Sequence, residues 1–301
     1  TGTAEDRRVS FLRQARGPLE RLSTGAGPEG AAALLALAQL GDGEGRLAAL
    51  RSRLRAGLPE ARQAVLALGY LRGPAALRTL QGLLHDRSEA RRLCGREAGV
   101  PEELRAWSAL ALGIFAAAPE RPTLNQLVAR DLVAFLEDAG AESLELQMAA
   151  VAAVRVVELD YAAGLGGRLL ALLEERHRDP RVRALLPVAV AKIAARAGEE
   201  SLSAAAAMCF LKLLGDRGTD GLLRQGAAQA LGVLVRSSDP YAERAAAALC
   251  AAVEGDPNPQ VRNLALVALA RLAADDGPAG PLAAPRILPF LRPPLASAPS
   301  G

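Results

Sequence analysis

Two histidines and three cysteines are the side chains of this chain best suited to catalysis or metal binding. His85 and His177 each stand beside an Asp or an Arg near the expected end of a helix, where a cationic ring favours the negative end of the helix dipole. No nucleophile stands at a sensible spacing from a base and a group that would orient that base. We therefore predict no catalytic residue, no metal ligand and no cofactor.

The cysteines do not have the CxxC spacing of a zinc site. Cys209 and Cys250 lie in apolar segments 41 residues apart, and we predict buried free thiols, with a disulfide between them as the alternative. Cys94 is flanked by Arg92 and Arg96, so we predict an exposed thiol whose thiolate form is favoured by the two positive charges. A reactive role for Cys94 stays open.

The helices that would position any such group show a repeating pattern, an Ala followed by Leu or Val within an apolar helical stripe. The six pairs begin at Ala67, Ala111, Ala153, Ala189, Ala230 and Ala268. The steps between them are 44, 42, 36, 41 and 38 residues. A period near forty in a helical sequence predicts an all-α fold in which two-helix repeats stack as an α-solenoid.

Helix-start signals keep the same register as the apolar stripe. Twelve residues before the position that follows each pair, four copies carry a side chain that can cap a helix, namely Ser143, Asp179, Asp220 and Asn258. Pro180 and Pro259 come next, at the first helical position, where a missing N–H costs nothing. We therefore predict that an inner helix of the repeat begins at each of these caps.

Glycine follows the Ala-Leu pair at Gly69, Gly113 and Gly232. Because Gly inside a helix costs up to about 1 kcal/mol relative to Ala, we predict that neighbouring helices approach closely there. Pro187 is discordant, because a proline inside a helix kinks it or leaves a carbonyl unpaired.

Outer helices are expected between the inner ones. We place them near residues 45–55, 75–85, 123–137, 162–176, 202–214 and 241–253, with a last candidate at 282–292. Ala31–Leu40 is predicted to be an earlier inner helix, and residues 85–101 are predicted to lengthen one inter-helix loop. These elements divide the chain into a helical N-terminal cap over 1–26, a repeat array over 27–275, and a Pro-rich capping helix and tail over 276–301.

The two end segments leave alternatives open. Residues 1–26 carry several arginines together with a few apolar residues, which fits either a helix that caps the first repeat or a mobile basic arm. Pro278 and Pro281 match a PxxP polyproline motif, although any Pro-rich segment contains such matches. Because residue 1 is Thr, we expect either a processed chain from which any leader has been removed or a recombinant segment, and the compartment stays open.

The paired helices and the cap-then-Arg spacing, clearest over residues 256–272, resemble HEAT repeats. The resemblance covers residues 27–275 and implies a right-handed α-solenoid of about six to seven antiparallel helix pairs. It also implies a ladder of loop and inner-helix side chains that pairs Asp179 with Arg183, Asp220 with Arg224, and Asn258 with Arg262. Most proteins of this family are protein-binding scaffolds, and a few are DNA glycosylases, bilin lyases or metal hydroxylases. The His-Glu pairs of the hydroxylases are absent from this sequence.

Composition narrows the choice of function. The 36 basic residues are nearly cancelled by 33 acidic ones, and Trp107 forms no cluster with the three tyrosines. Nucleic acid is therefore disfavoured as a partner, because it requires a basic stripe and usually aromatic side chains for stacking. No apolar stretch is long and uncharged enough to suggest a membrane span.

We predict a non-enzymatic scaffold that binds a protein or peptide along its concave inner-helix face. The residues predicted to line that face are Arg62, Met148, Arg155, Gln225, Gln229 and Asn263. The alternative is an accessory subunit of an enzyme or of a nucleic-acid-binding assembly. The identity of the partner and the oligomeric state stay open.

Overall fold

Helices are the only regular structure in the part of the chain that the structure describes. A computed structural model describes residues 4–25, 27–40, 44–138, 142–159 and 164–274, and within these ranges the regular structure is helical, with no strand. This confirms the predicted all-α class for the described part of the chain. No helix among the described residues is both long enough and apolar enough to cross a membrane. The predicted helix at 282–292 and the 276–301 segment lie outside the described residues.

The chain divides into two compact units, residues 1–158 and 159–301. In unit 1 the helices are α1 Ala4–Ser23, α2 Pro28–Gln39, α3 Leu47–Arg53, α4 Leu58–Leu71, α5 Pro74–Leu84, α6 Ser88–Cys94, α7 Glu102–Phe115, α8 Pro122–Asp138 and α9 Leu144–Val154, and a 3-10 turn at Glu44–Arg46 leads into α3. We call α2, α4, α7 and α9 the inner helices of unit 1, because each packs directly on the next. The outer helices α3, α5 and α8 pack against them.

Unit 2 repeats this arrangement. Its helices are α10 Leu165–Glu174, α11 Pro180–Ala197, α12 Glu200–Gly215, α13 Gly221–Leu234, α14 Ala242–Gly255 and α15 Pro259–Ala273. The inner helices α11, α13 and α15 pack on one another in succession, and the outer helices α10, α12 and α14 pack against them. Each outer helix predicted before residue 260 therefore coincides with a helix of the structure.

Four inner helices begin at the side-chain caps that the sequence predicts. Each cap side chain accepts a hydrogen bond from a main-chain N–H of the first turn. The pairs are Ser143 with Leu146, Asp179 with Arg181, Asp220 with Leu222, and Asn258 with Gln260. These bonds satisfy donors that have no partner within the helix. The cap prediction is confirmed at all four positions.

Glycine allows the inner helices to approach closely, as the sequence predicts. A Cβ atom added to Gly69 of α4 would lie 2.6 Å from the carbonyl oxygen of Ala111 on α7. A Cβ atom at Gly113 would lie 2.8 Å from the Cα of Ala153 on α9, so that the same kind of contact recurs one copy later. Each glycine thus packs on the alanine of the following Ala-Leu or Ala-Val pair, and the space between the helices is too small for a side chain at the glycine position.

Helix α11 continues through Pro187, which is buried. Gly226 of α13 packs at this point, where an added Cβ would overlap the carbonyl oxygen of Ala184 and lie 3.4 Å from Cγ of Pro187. The backbone of α13 therefore lies directly against the turn of α11 that contains the proline. The sequence pattern does not reveal this close approach at Gly226.

The 85–101 segment is more ordered than the predicted loop, because it contains the short helix α6. The Asp86 carboxylate holds the segment together by accepting hydrogen bonds from the Arg91 guanidinium at 2.7 and 3.0 Å and from the main-chain N–H of Val100 at 2.7 Å. These bonds lower the pKa of Asp86, with Arg91 as the main cause.

Candidate functional site

His85 joins two outer helices of unit 1. It caps the C-terminus of α5, and its Nε2 lies 2.9 Å from Oδ1 of Asp131 on α8. Gln81 donates a hydrogen bond to the other oxygen of the same carboxylate at 3.1 Å. Burial raises the pKa of Asp131, but the hydrogen bonds from His85 and Gln81 and the charge of His85 bring it below its ordinary value. The pair links α5 to α8.

His177 lies at the surface between α10 and α11. Its side chain is 80% exposed, with Nε2 3.7 Å from a carboxylate oxygen of Glu175. Among the described residues, no group of three or more His, Cys, Asp or Glu side chains is placed to hold a metal ion.

The structure corrects the prediction for Cys94. This residue is the last in α6, and it is only 4% exposed because α6 turns Ala90 and Cys94 toward the core. Burial raises the pKa of its thiol, the Asp86 charge raises it as well, and Arg96 only opposes the shift. The predicted exposed thiolate is therefore wrong.

The other two thiols differ from each other. Cys250 is buried and Cys209 is half-buried, and the structure holds both as free thiols, without the alternative disulfide. Burial raises the pKa of Cys209, Glu174 raises it too, and Lys212 opposes them. The predicted burial is thus confirmed for Cys250, whereas Cys209 is only partly buried.

Two of the arginines predicted to form the ladder have partners other than the loop residues assigned to them. Arg224 binds Asp256, with Nε 2.8 Å from Oδ2 and Nη2 3.2 Å from Oδ1, and this ion pair is buried. Arg262 donates to the main-chain carbonyl of Asp256 at 2.7 Å. The predicted pairs Asp220–Arg224 and Asn258–Arg262 are therefore wrong, because Asp220 and Asn258 cap their own helices.

The third predicted pair, Asp179 with Arg183, is also wrong. Asp179 caps α11 and binds the guanidinium of Arg181 at 3.0 and 3.1 Å. Arg183 instead donates from Nε to the main-chain carbonyl of Leu173 at 2.9 Å. An acid that serves as a helix cap faces the first turn of its own helix, so its carboxylate is not directed at the arginine of the same copy.

One side of the inner helices α4, α7, α9, α11, α13 and α15 is at least partly exposed at every position but one, and we call it the inner face. It consists of three positions per helix spaced by four residues, which places their side chains on one side of a helix. In unit 1 these positions are Arg62, Leu66 and Tyr70; Ala106, Leu110 and Ile114; and Met148, Ala152 and Val156. In unit 2 they are Ala184, Val188 and Lys192; Gln225, Gln229 and Val233; and Asn263, Val267 and Arg271, of which Val188 alone is buried.

Five of the six residues predicted to contact a partner lie on the inner face, namely Arg62, Met148, Gln225, Gln229 and Asn263. Arg155 instead caps the C-terminus of α9. Arg62 is already engaged, because its Nη1 lies 3.1 Å from Oε1 of Glu103 and its guanidinium lies 5.7 Å from the ring centre of Trp107.

Sequence reasoning missed the apolar members of the inner face. Leu66, Leu110, Ile114 and Val156 belong to apolar helices, and a helical stripe does not by itself distinguish a half-exposed leucine from a buried one. The four-residue spacing within each copy was the available signal. In unit 1 the structure shows this face to be mainly apolar, whereas α13 in unit 2 presents two glutamines.

Comparison with known proteins assigns no family to the chain. No protein-family model matches it, and no curated protein matches it. Among solved structures, it is similar to the crystal structure of an engineered protein, with 19% sequence identity over 91% of this chain and 81% of that chain and a TM-score of 0.41. A TM-score at this level does not define a shared fold.

Proposed function

We propose that the chain is a HEAT-like, right-handed α-solenoid of about six to seven antiparallel helix pairs over residues 27–275, and that it is a non-enzymatic scaffold. Its partner is a protein or peptide that binds along the concave face lined by the inner helices. The side-by-side inner helices of each unit and the Gly-on-Ala contacts between them support this proposal.

The observation that carries the proposal is the apolar part of the inner face in unit 1. Leu66, Leu110 and Ile114 are half-exposed, and Val156 at the end of α9 is 40% exposed. Covering such side chains is favourable by about 25 cal/mol for each Å² of apolar surface removed from water. Grouped apolar exposure of this kind is typical of surfaces that bind another protein.

The amide side chains of unit 2 suit a peptide backbone. Gln225 and Gln229 stand one turn apart on α13, and Asn263 occupies the corresponding position on α15. An amide side chain both donates and accepts hydrogen bonds, so it can pair with the N–H and C=O groups of an extended segment. The segment that we propose to bind unit 2 therefore presents main-chain polar groups to these amides.

The test compares two leucines with different locations. Leu110→Glu places a charge on the inner face, whereas Leu127→Glu places the same charge on the outer helix α8, where Leu127 is 49% exposed. The unmodified chain is first used to capture its partner from the native source. The affinity of the purified partner is then measured for the unmodified chain and for both variants. We expect Leu110→Glu to weaken binding at least tenfold, about 1.4 kcal/mol, and Leu127→Glu to leave it unchanged.

A second readout needs no label. Trp107 is the chain's single tryptophan, and it lies on α7 beside Leu110, half-exposed beneath Arg62. A partner peptide that contains no tryptophan should shift the fluorescence emission of Trp107 to shorter wavelength, because binding removes water from the indole ring. Binding that survives Leu110→Glu and leaves the emission of Trp107 unchanged would exclude the inner face of unit 1.

A further inference from the structure

Two inner-helix arginines hold a carboxylate from the following copy. Arg105 donates from Nε to the carbonyl of Leu84 at 2.9 Å, and its two terminal nitrogens bind the Glu142 carboxylate at 2.6 and 2.9 Å. Arg224 binds Asp256 with two of its nitrogens. A planar guanidinium that binds both oxygens of a carboxylate is among the strongest polar contacts in proteins.

Arg183 occupies the same position as Arg105 but has no such carboxylate. Its Nε donates to the carbonyl of Leu173, near the end of α10, just as Arg105 donates to Leu84 at the end of α5. Its two terminal nitrogens make no hydrogen bond or ion pair with any residue that the structure describes. The guanidinium of Arg183 is therefore placed to bind a carboxylate with two nitrogens, but the described residues supply no carboxylate there.

The sequence explains the missing acid. Glu142 stands directly before the Ser143 cap, and Asp256 stands two residues before the Asn258 cap. In the copy that follows Arg183 those two positions are Thr219 and Gly218, neither of which carries a charge. The acid next in the chain, Asp220, is the cap of α13 and accepts a hydrogen bond from the main-chain N–H of Leu222 at 2.7 Å.

A cavity of about 550 Å³ lies at this gap, and Arg183, Gly218 and Thr219 are among the residues that line it. Arg176 and Lys212 add two further positive charges to its wall. Burial lowers the pKa of Arg183, the like charge of Arg176 lowers it further, and the charge of Asp220 only opposes the shift. A second cation so close to an unpaired guanidinium is stabilised by an anion between them.

The acidic residues of the cavity limit what that anion can be. Asp216 accepts hydrogen bonds from the main-chain N–H of Gly218 and from the hydroxyl of Thr219, and Asp220 is engaged as the cap of α13. Glu174 adds a third carboxylate to the wall. A phosphate group, which carries up to two negative charges on one atom centre, would meet more repulsion here than a single carboxylate group, which carries one.

We propose that the cavity beside Arg183 binds a carboxylate from a ligand, which takes the place that Glu142 occupies beside Arg105. The two terminal nitrogens of Arg183 hold the carboxylate oxygens, and Arg176 supplies a second positive charge. This site lies where helices α10 to α13 end and begin, and its residues are not those of the inner face. The inference therefore does not rest on the proposed function.

The experiment follows the Nε–Hε signals of arginine by NMR in the full chain at neutral pH. The probes are glutarate, a hexaglutamate peptide and inorganic phosphate, each titrated into the millimolar range. We expect both carboxylate probes to shift the signal of Arg183 and to leave that of Arg105 unchanged, because Arg105 already holds Glu142.

Two variants at one position supply the control. Thr219→Glu restores the acid at the position equivalent to Glu142, and Thr219→Gln adds a side chain of the same size without charge. We expect Thr219→Glu to weaken carboxylate binding about tenfold or more relative to Thr219→Gln, since the internal acid competes for Arg183. An unchanged far-UV circular dichroism spectrum and an unchanged Nε–Hε signal of Arg262, which lies in the same unit, show that the fold is retained in both variants.

Each outcome decides the proposal. Tighter binding of hexaglutamate than of glutarate supports the site and indicates an acidic side chain of a partner protein as the source. Tighter binding of glutarate supports it with a small organic acid as the source. If Arg183 does not respond to either probe, if phosphate binds more tightly than both, or if Thr219→Glu and Thr219→Gln bind equally well, the proposal is wrong.

Discussion

Replacing Gly232 with Ala should destabilise unit 2, although Ala is the better helix former. Gly232 lies inside α13, where an added Cβ would be 2.7 Å from both the Cα and the Cβ of Ala268 on α15. Carbon atoms attract each other at separations of about 3.5–4.0 Å and repel strongly below that. The two helices would therefore have to move apart by about 1 Å at this contact.

Two opposing effects set the magnitude. An extra methyl group forced into a well-packed contact costs roughly 1–3 kcal/mol. The higher helix propensity of Ala recovers up to about 1 kcal/mol of that loss. The net expectation is that the free energy of unfolding falls by roughly 1–2 kcal/mol.

The matched control is Gly167→Ala in the same unit. Gly167 lies in α10, and no atom outside its own helix and chain neighbours comes within 4 Å of the position that its Cβ would take. The same change of residue should therefore raise the free energy of unfolding by about 0.5–1 kcal/mol through helix propensity alone. The same Gly→Ala substitution should thus lower the free energy of unfolding at Gly232 and raise it at Gly167.

Urea unfolding followed by far-UV circular dichroism measures both variants. We expect the midpoint to fall for Gly232→Ala and to rise for Gly167→Ala, with unchanged slopes. A midpoint for Gly232→Ala at or above that of the unmodified chain would refute the close approach of α13 and α15. A loss of the same size in Gly167→Ala would attribute the effect to something other than that contact.

Three further predictions concern charge and thiol reactivity. Asp256→Asn should lower the free energy of unfolding by about 3–5 kcal/mol in urea unfolding, because it leaves the buried Arg224 without its carboxylate. Burial raises the pKa of Asp256, but the hydrogen bonds from Arg224 and from the main-chain N–H of Asn258 lower it below its ordinary value. At low pH the Asp256 carboxylate therefore takes up a proton more readily in the unfolded chain than in the folded one. The stability that the Arg224–Asp256 pair contributes should be complete above about pH 4 and should be lost as the pH falls through the lowered pKa of Asp256. In acid unfolding curves, Asp256→Asn should lose less stability over that range than the unmodified chain. Cys94 should react with a thiol reagent far more slowly in the folded chain than in urea, and equal rates would contradict its burial.

Caps and helix bounds were readable from the sequence because they depend on residues within one helix. Asp179, Asp220 and Asn258 each bond to an N–H two residues ahead, so spacing along the chain was sufficient to predict them. The role of Gly113 was predictable for a similar reason, since a glycine in the middle of a helix needs a packing explanation.

The partners of the arginines were not readable in this way. Arg224 and Asp256 are 32 residues apart, and Arg105 and Glu142 are 37 residues apart. Which acid reaches which guanidinium depends on how one helix pair lies against the next, and the offset along the chain varies from copy to copy. The pairs implied by the HEAT-repeat resemblance therefore named the cap residues, whose oxygens bond to the first turn of their own helices.

The sequence by itself determined that this protein is helical, where its inner helices begin and that they approach closely at Gly69, Gly113 and Gly232, because those features follow from local hydrogen bonds and from the size of a side chain. The tertiary structure alone decided which apolar residues stay half-exposed on the inner face, that Cys94 is buried, and that Arg183 lacks a carboxylate partner among the described residues. Each of these depends on contacts between segments that are far apart along the chain, and burial and charge pairing are properties of those contacts.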